Sequence, residues 1–282
     1  MNIYERQIQG ANEAIRANPR DAESYNSRGI IYFRLGQHER AIQDFDEAIR
    51  LNPQYAEAYS GRGATYGSLG QHERAIQGFD EAIRLNPQYA EAYNYRGLTY
   101  FMLNQYERAV QDFGKAISLN PRDILAYHSR GNAYYGLGEY EKAIQDHDEV
   151  IRRSQQNGFS FAYASYSNRG LAYYGLGKYE KAVQDHNEVI RHSQQNGFRF
   201  AHASYSNRGL AYHGLGQHEE ALQDYNEAIR LNPRDANAYF GRGLAYKAIG
   251  KSIEAEREFA KAKELGYSPW WWDAEFYSRT SS

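Results

Sequence analysis

The 282 residues include 33 basic and 35 acidic side chains for a formal charge of -2, no cysteine, and 41% apolar residues. That is enough apolar content for a core, with no cationic excess to hold phosphate backbones or anionic lipid and with neither disulfides nor thiolate chemistry. No basic leader with an apolar run opens the chain and no window approaches the ~18 apolar residues of a membrane span, so the expected setting is a reducing, aqueous compartment, by default the cytoplasm.

The 27 Tyr and 25 Gly fall in a period. An Arg-Gly pair recurs at Gly29, Gly63, Gly97, Gly131, Gly170, Gly209 and Gly243, with steps of 34, 34, 34, 39, 39 and 34 residues. A fixed step of this size predicts stacked supersecondary units that cannot bury their apolar faces alone. In chain order, Tyr4 to Pro19 come first and align with His38 to Pro53, so the chain opens on the second helix of a pair (residues 1–21). Ile8, Ala11 and Ile15 on this helix are expected to be covered by a second copy of the chain or bared by truncation of a longer array, and the residues favour neither.

Full units follow, starting at Ala22, Ala56, Ala90, Ile124, Tyr163, His202 and Ala236 and ending near residue 267. In the first, Tyr25, Gly29, Tyr32 and Leu35 line one face of a helix ended by Gly36; Ala41, Phe45, Ala48 and Ile49 line a second, stopped at Asn52-Pro53. Seven helix-interior glycines, each costing roughly 1 kcal/mol against alanine, point to close approach of paired helices. Arg28 and its equivalents are expected at the surface, paired with second-helix carboxylates such as Asp44 or Glu47 and worth a few tenths of a kcal/mol.

Tyr25, Gly29, Tyr32, Ala41, Phe45, Ala48 and Pro53 resemble the tetratricopeptide repeat signature at its offsets, and the resemblance extends to about residue 267. It implies an all-α, right-handed superhelical solenoid of helix-turn-helix units whose first helices line a concave side.

Two longer units carry SQQNGF at Ser154 and Ser193. Aligning Asn52 with Asn157 assigns three of the five added residues to the second helix and two to the approach of the next. Neither is a whole number of turns, which predicts a local change of superhelix pitch. Asn157-Gly158 predicts a glycine cap, and Phe159, Phe161, Phe198 and Phe200 are expected to pack the lengthened ends. His147 and His186 replace Phe, and Val150 and Val189 replace Ala; the histidines are expected in the core with their nitrogens satisfied, not on a metal. At the end, Gly266 reads as a helix stop and Ser268-Pro269 as the start of a capping helix over 268–282, with Trp270 to Trp272 sealing the core.

No phosphate loop, zinc signature or nucleophile motif occurs, so neither enzyme activity nor a cofactor is expected. The resemblance puts the ligand surface at the second, fifth, ninth, twelfth and thirteenth residues of each unit. The twelfth gives Phe33, Phe101, Tyr135, Tyr174 and His213; the fifth and ninth give Asn26, Asn94, His128, Asn132, Leu98, Leu171 and Leu210; the neighbouring sixth gives Asn168 and Asn207. Side-chain amides can hold a peptide backbone and aromatic faces its side chains, so the expectation is a scaffold binding an extended peptide or partner protein.

Relatives that clamp a terminal carboxylate use lysines, an arginine and two asparagines. Asn132 and Asn168 stand at the asparagine positions, but His128 and Ala203 replace the lysines and Asn207 the arginine, while Glu23, Glu57 and Glu91 would repel an anion. A neutral or mildly basic segment is therefore expected. The 39-residue units also resemble those of kinesin-light-chain-like and Pins-like scaffolds, whose grooves take extended peptides. RNA binding by base stacking is the alternative, disfavoured by the charge, and self-assembly through the opening helix is another.

Overall fold

The structure, a computed structural model, describes residues 3–157, 162–196 and 201–267. Among them are fifteen helices: α1 (Ile3–Ala17), α2 (Ala22–Arg34), α3 (His38–Leu51), α4 (Ala56–Ser68), α5 (His72–Leu85), α6 (Ala90–Met102), α7 (Tyr106–Leu119), α8 (Ile124–Gly136), α9 (Tyr140–Asn157), α10 (Ala162–Gly175), α11 (Tyr179–Asn196), α12 (Ala201–Gly214), α13 (His218–Leu231), α14 (Ala236–Ala248) and α15 (Ser252–Glu264). The chain divides into two compact units, Met1–Leu137 and Gly138–Ser282. Within each, first and second helices alternate and every helix packs on its chain neighbours, the arrangement of a helical-repeat solenoid.

The turns follow from local chemistry. Asp21 accepts hydrogen bonds from the Glu23 and Ser24 amides to open α2, and Asp123 does the same for Leu125 and Ala126 of α8. First helices end on a left-handed residue, Gly36 at φ 70° in the first pair. Asn104, at φ 56°, does the same work without being glycine. Second helices such as α3 stop at Asn52, whose side chain accepts from the Gln54 amide beyond the proline.

The core of unit 1 is built from knobs on bare backbone. Phe45 joins Ala41, Ala48 and Ala58 in one buried cluster. A methyl placed on Gly29 would come within 2.9 Å of its ring, and one on Gly61 of the next first helix within 2.6 Å. The same ring therefore closes its own helix pair and the joint to the following one.

The arginine before each helix-interior glycine is not a surface group. Arg28 donates from Nε and Nη2 to Asp44 at 2.8 and 2.6 Å and from Nη1 to Asn12 at 2.6 Å, bridging its own second helix and the preceding one. Arg96 spans Asp112 and Asp80 in the same way, Arg169 spans Asp185 and Asp148, and Arg208 spans Asp224 and Asn187. Asp44 is only 5% exposed, so removing either partner would strand a charge out of water, at a cost well above that of breaking a surface pair. Glu47 pairs with Arg50 instead. Arg62 faces Gly78, where Arg28, Arg96, Arg169 and Arg208 face an aspartate and Arg242 faces Glu258; its ion pair among the described residues is with Asp46.

The long units differ from expectation in where the added residues go. α9 and α11 have 18 residues against 14 in α3, while α10 and α12 start one residue early, with 14 against 13 in α4. Four residues therefore extend the second helix, close to one full turn, and one extends the first, in place of the expected three and two. A full turn repeats the buried face: Ser154 follows Val150 and Ser193 follows Val189, each four residues on, and both serines are buried. Gln155 and Gln194 in that turn donate to the Tyr166 and Tyr205 hydroxyls of the next first helix, at 3.1 and 3.0 Å. His186 is buried as expected but unsatisfied: neither ring nitrogen has a hydrogen-bond partner among the described residues.

On α1, Ile8, Ala11 and Ile15 are half-buried, and the helix packs on α2. Its exposed side carries Gln7, Gly10, Glu13 and Ala14, so beyond Ile3 it presents no apolar ridge. At the other end Tyr267 stacks on Phe240 of α14, ring centroids 4.1 Å apart. Gly158, Phe159, Phe161, Phe198, Phe200 and residues 268–282, with the three tryptophans, lie outside the described residues.

Candidate binding surface

Each first helix leaves one stripe open, and it is not quite the expected one. On α6 the exposed residues beyond the first turn are Tyr95, Leu98 and Met102, with Glu91 in that turn. Their spacing of four, three and four puts them on a single face. In each unit these are the second, sixth, ninth and thirteenth residues. α2 presents Glu23, Ser27, Ile30 and Arg34; α8 presents Leu125, Ser129, Asn132 and Gly136, the middle two half-buried. In unit 2, α10 presents Ala164, Asn168, Leu171 and Gly175, and α12 presents Ala203, Asn207, Leu210 and Gly214, again with half-buried middle positions.

The fifth position serves the joint between pairs. Asn26 is 5% exposed and its amide donates to the Tyr55 hydroxyl at 3.3 Å; Asn94 donates to Asp123 at 2.5 Å. In unit 2 Ser206 donates to Asp235 at 3.1 Å from the same place. Asn26 and Asn94 thus hold the start of the next unit, and Asn26 is withdrawn from the open surface. His128, half-buried at the fifth position of α8, has its pKa pushed down by burial, which disfavours the charged imidazolium.

The twelfth position serves the joint within a pair. Phe33 lies against His38, Phe101 against Tyr106, Tyr174 against Tyr179 and His213 against His218, with ring centroids 6.0, 5.5, 5.2 and 4.9 Å apart. Each meets the first residue of its own second helix, so the expected aromatic track is a set of half-buried packing contacts. Tyr135 is half-buried too. Burial pushes the His213 imidazole down to about 4, with His218 adding, so it carries no charge for an anionic ligand.

Of the expected residues, Leu98 and Asn132 remain on the open stripe of unit 1 and Asn168, Leu171, Asn207 and Leu210 on that of unit 2. Tyr95, Met102 and Leu125 were missed. Each breaks the internal refrain: Tyr where other units have Ser, Gly or Asn, Met where they have Gly, Ser, Ala or Arg, Leu where the earlier units have Glu. The thirteenth position also has a packing rule. A methyl on Gly136, Gly175 or Gly214 would meet the ring of Tyr106, Tyr140 or Tyr179 at 2.9, 2.7 and 2.8 Å. Where the preceding second helix starts with His72, Met102 is accommodated.

Glu23, Glu57 and Glu91 are exposed in the first turns of α2, α4 and α6, and none of them is ion-paired among the described residues. Their field is felt nearby. The Tyr89 phenol is pushed up to about 12, by burial first, with Glu91 and Glu57 adding to a rise that a Ser60 hydrogen bond opposes. No group of three or more potential metal ligands gathers among the described residues, and no helix there is long and apolar enough to cross a membrane.

Family models described as tetratricopeptide repeat match residues 11–43, 90–123 and 122–195, and one described as TPR repeat matches 31–70, 66–104 and 209–250. The chain belongs to the tetratricopeptide repeat family. No curated protein sequence matches it. Among solved structures, this tetratricopeptide repeat chain is similar to the Cut9-Hcn1 hetero-tetramer of APC/C, at 19% identity and TM-score 0.66. That match covers 88% of this chain but 46% of the other, so the chain spans under half the length of that relative. A tetratricopeptide repeat protein from Parabacteroides merdae matches at 21% identity and TM-score 0.66, over 88% of this chain and 94% of that one. YrrB, described as a TPR protein with an unusual peptide-binding site, matches at 21% and TM-score 0.50, over 81% and 95%. At these identities the likeness establishes the fold. Tetratricopeptide repeat folds are scaffolds for protein-protein interaction, generally without catalysis of their own.

Proposed function

We propose that the chain is a non-enzymatic adaptor whose open first-helix stripes hold an extended segment of a partner protein, neutral to mildly basic in charge. One observation carries this reading. Helix-pair packing repeats from unit to unit, whereas the residues left open on the first helices differ: acidic and bulky on α2 and α6, amide-bearing on α10 and α12. A surface that varies over a scaffold that does not is where recognition can be encoded.

In unit 2, Asn168 and Asn207 bring amide side chains, a group type that carries both donors and acceptors, beside Leu171 and Leu210, which suits a peptide backbone flanked by apolar side chains. In unit 1, Leu98 and Asn132 belong to the same reading. Nucleic acid is disfavoured because the recurrent arginines are already held by aspartates, and a salt titration would expose phosphate binding by its steep slope.

The test is selection of short random peptides on the whole chain, followed by affinity measurements on Asn168→Ala and Asn207→Ala. Each substitution should weaken a ligand seated on unit 2 by about 1 kcal/mol, roughly fivefold. Ligands indifferent to both, and to every stripe substitution in unit 1, would remove the assignment.

A further inference from the structure

We infer that the open stripe of α6 is the anchoring point for the bound segment in unit 1, and that it selects a bulky apolar side chain placed about three residues from a cationic one. This rests on the adaptor reading above and specifies its chemistry.

The first ground is apolar exposure. Tyr95 is 44% exposed, Leu98 40% and Met102 63%, all on α6, and Leu125 on neighbouring α8 is 54% exposed. Single exposed apolar residues need no explanation, but several on adjoining helices form a patch of the kind that marks a contact. Methionine suits such a place, since its unbranched thioether adapts to the shape of a guest.

The second ground is relief. The stripe of α4, which packs beside α6, carries Gly61, Ala64 and Ser68. Gly61 is kept bare by the Phe45 ring, so the small size of this stripe follows from core packing. Leu98 and Met102, exposed on α6, are the larger side chains beside that stripe.

The third ground is charge. Glu91 shares the stripe of α6 one turn before Tyr95, and Glu57 opens α4 at the same end. An acid in a first turn ordinarily just stabilises its helix, and alone would mean nothing. Here two acids without ion pairs flank the apolar patch, so a cation beside the anchor gains and an anion loses. Glu91 and Leu98 are seven residues apart on a helix, about 10 Å along its axis. An extended chain covers that distance in about three residues.

The experiment uses the full chain and two peptide libraries, one fixed as Arg-x-x-Phe and one as Glu-x-x-Phe, with affinities read by fluorescence anisotropy. Binders should come from the first library and scarcely from the second. Leu98→Asp should lower their affinity at least tenfold, and Glu91→Gln severalfold with a shallower salt dependence. Both residues are exposed, so circular dichroism and melting should match the parent; Leu98→Ala, losing severalfold, covers the case in which Leu98→Asp fails to fold. Equal recovery from both libraries, or binders untouched by Leu98→Asp and Glu91→Gln, would overturn the inference. Binders that respond to Asn168→Ala or Asn207→Ala but not to Leu98→Asp would overturn it and leave the adaptor standing. An empty selection from both libraries and from the random pool would overturn both.

Discussion

The two halves of the chain share one backbone plan and fill it differently. Between paired helices, unit 1 inserts Phe45, Phe79 and Phe113, whereas unit 2 inserts His186 and Tyr225 at the equivalent place before returning to Phe259. At the third residue of each repeat, unit 1 has Ala58, Ala92 and Ala126 buried, while unit 2 buries Ser165 and Ser204 before returning to Ala238. The His186 nitrogens, the Ser154 hydroxyl and the Tyr225 hydroxyl have no hydrogen-bond partner among the described residues. The lesson is that the repeat geometry demands a flat ring against glycine and tolerates polar atoms in it, at a cost in stability. Unit 2 should be the softer half.

The arginine bridges test what the halves have in common. Removing the carboxylate leaves a half-buried guanidinium under-paired, so Asp112→Ala in unit 1 should cost about 3 kcal/mol. Asp224→Ala in unit 2 should cost more, because Arg208 then keeps only the neutral Asn187, whereas Arg96 keeps Asp80. Urea midpoints of the two variants measure the difference; equal losses would contradict the contrast between the halves, and negligible losses would return these pairs to the status of surface ion pairs.

Acid should separate the halves next. Burial, with Arg208 adding, pushes His186 down from 6.5 to about 4. The unfolded chain then binds a proton more readily than the folded one. The stabilisation is fully present above pH 6.5 and is lost as pH falls toward 4, reaching about 3 kcal/mol for this residue. Amide hydrogen exchange at pH 7 and pH 4.5, corrected for intrinsic rates, should show α10 to α13 losing protection before α2 to α7.

Substitution toward the pattern of unit 1 should reverse the contrast. His186→Phe removes two unsatisfied nitrogens from a site whose counterpart accepts Phe45, and should stabilise by about 1–2 kcal/mol at pH 7 and blunt the acid response. Tyr225→Phe removes one hydroxyl and should stabilise by less, about 0.5–1 kcal/mol. Destabilisation in either case would mean that these polar atoms have partners, such as buried water, that their surroundings conceal.

Much of the fold was legible because it is written in residues with narrow roles. Glycine against a ring, proline after asparagine and a helix-period apolar face each admit few readings, and seven repetitions removed the remainder. The added residues were misplaced because asparagine was matched to asparagine, although Asn157 lies in the helix where Asn52 caps one. Following the buried face from Val150 to Ser154 would have found the extra turn. Arg28 was set too shallow because a long side chain at a helix flank gives no sign of depth. The open stripe was missed by one helical step: the fifth and sixth residues are neighbours on the helix, and only the next first helix decides that Asn26 is covered and Asn168 is half open.

The most direct measurement places a photo-crosslinking side chain at Leu98 or Leu210 on the first helices and, as controls, at Glu107 or Glu219 on the second helices, then irradiates the chain with a selected peptide bound. The adaptor account predicts covalent capture from a first-helix position and none from either control. Capture from Glu107 or Glu219 with none from Leu98 or Leu210 would contradict it.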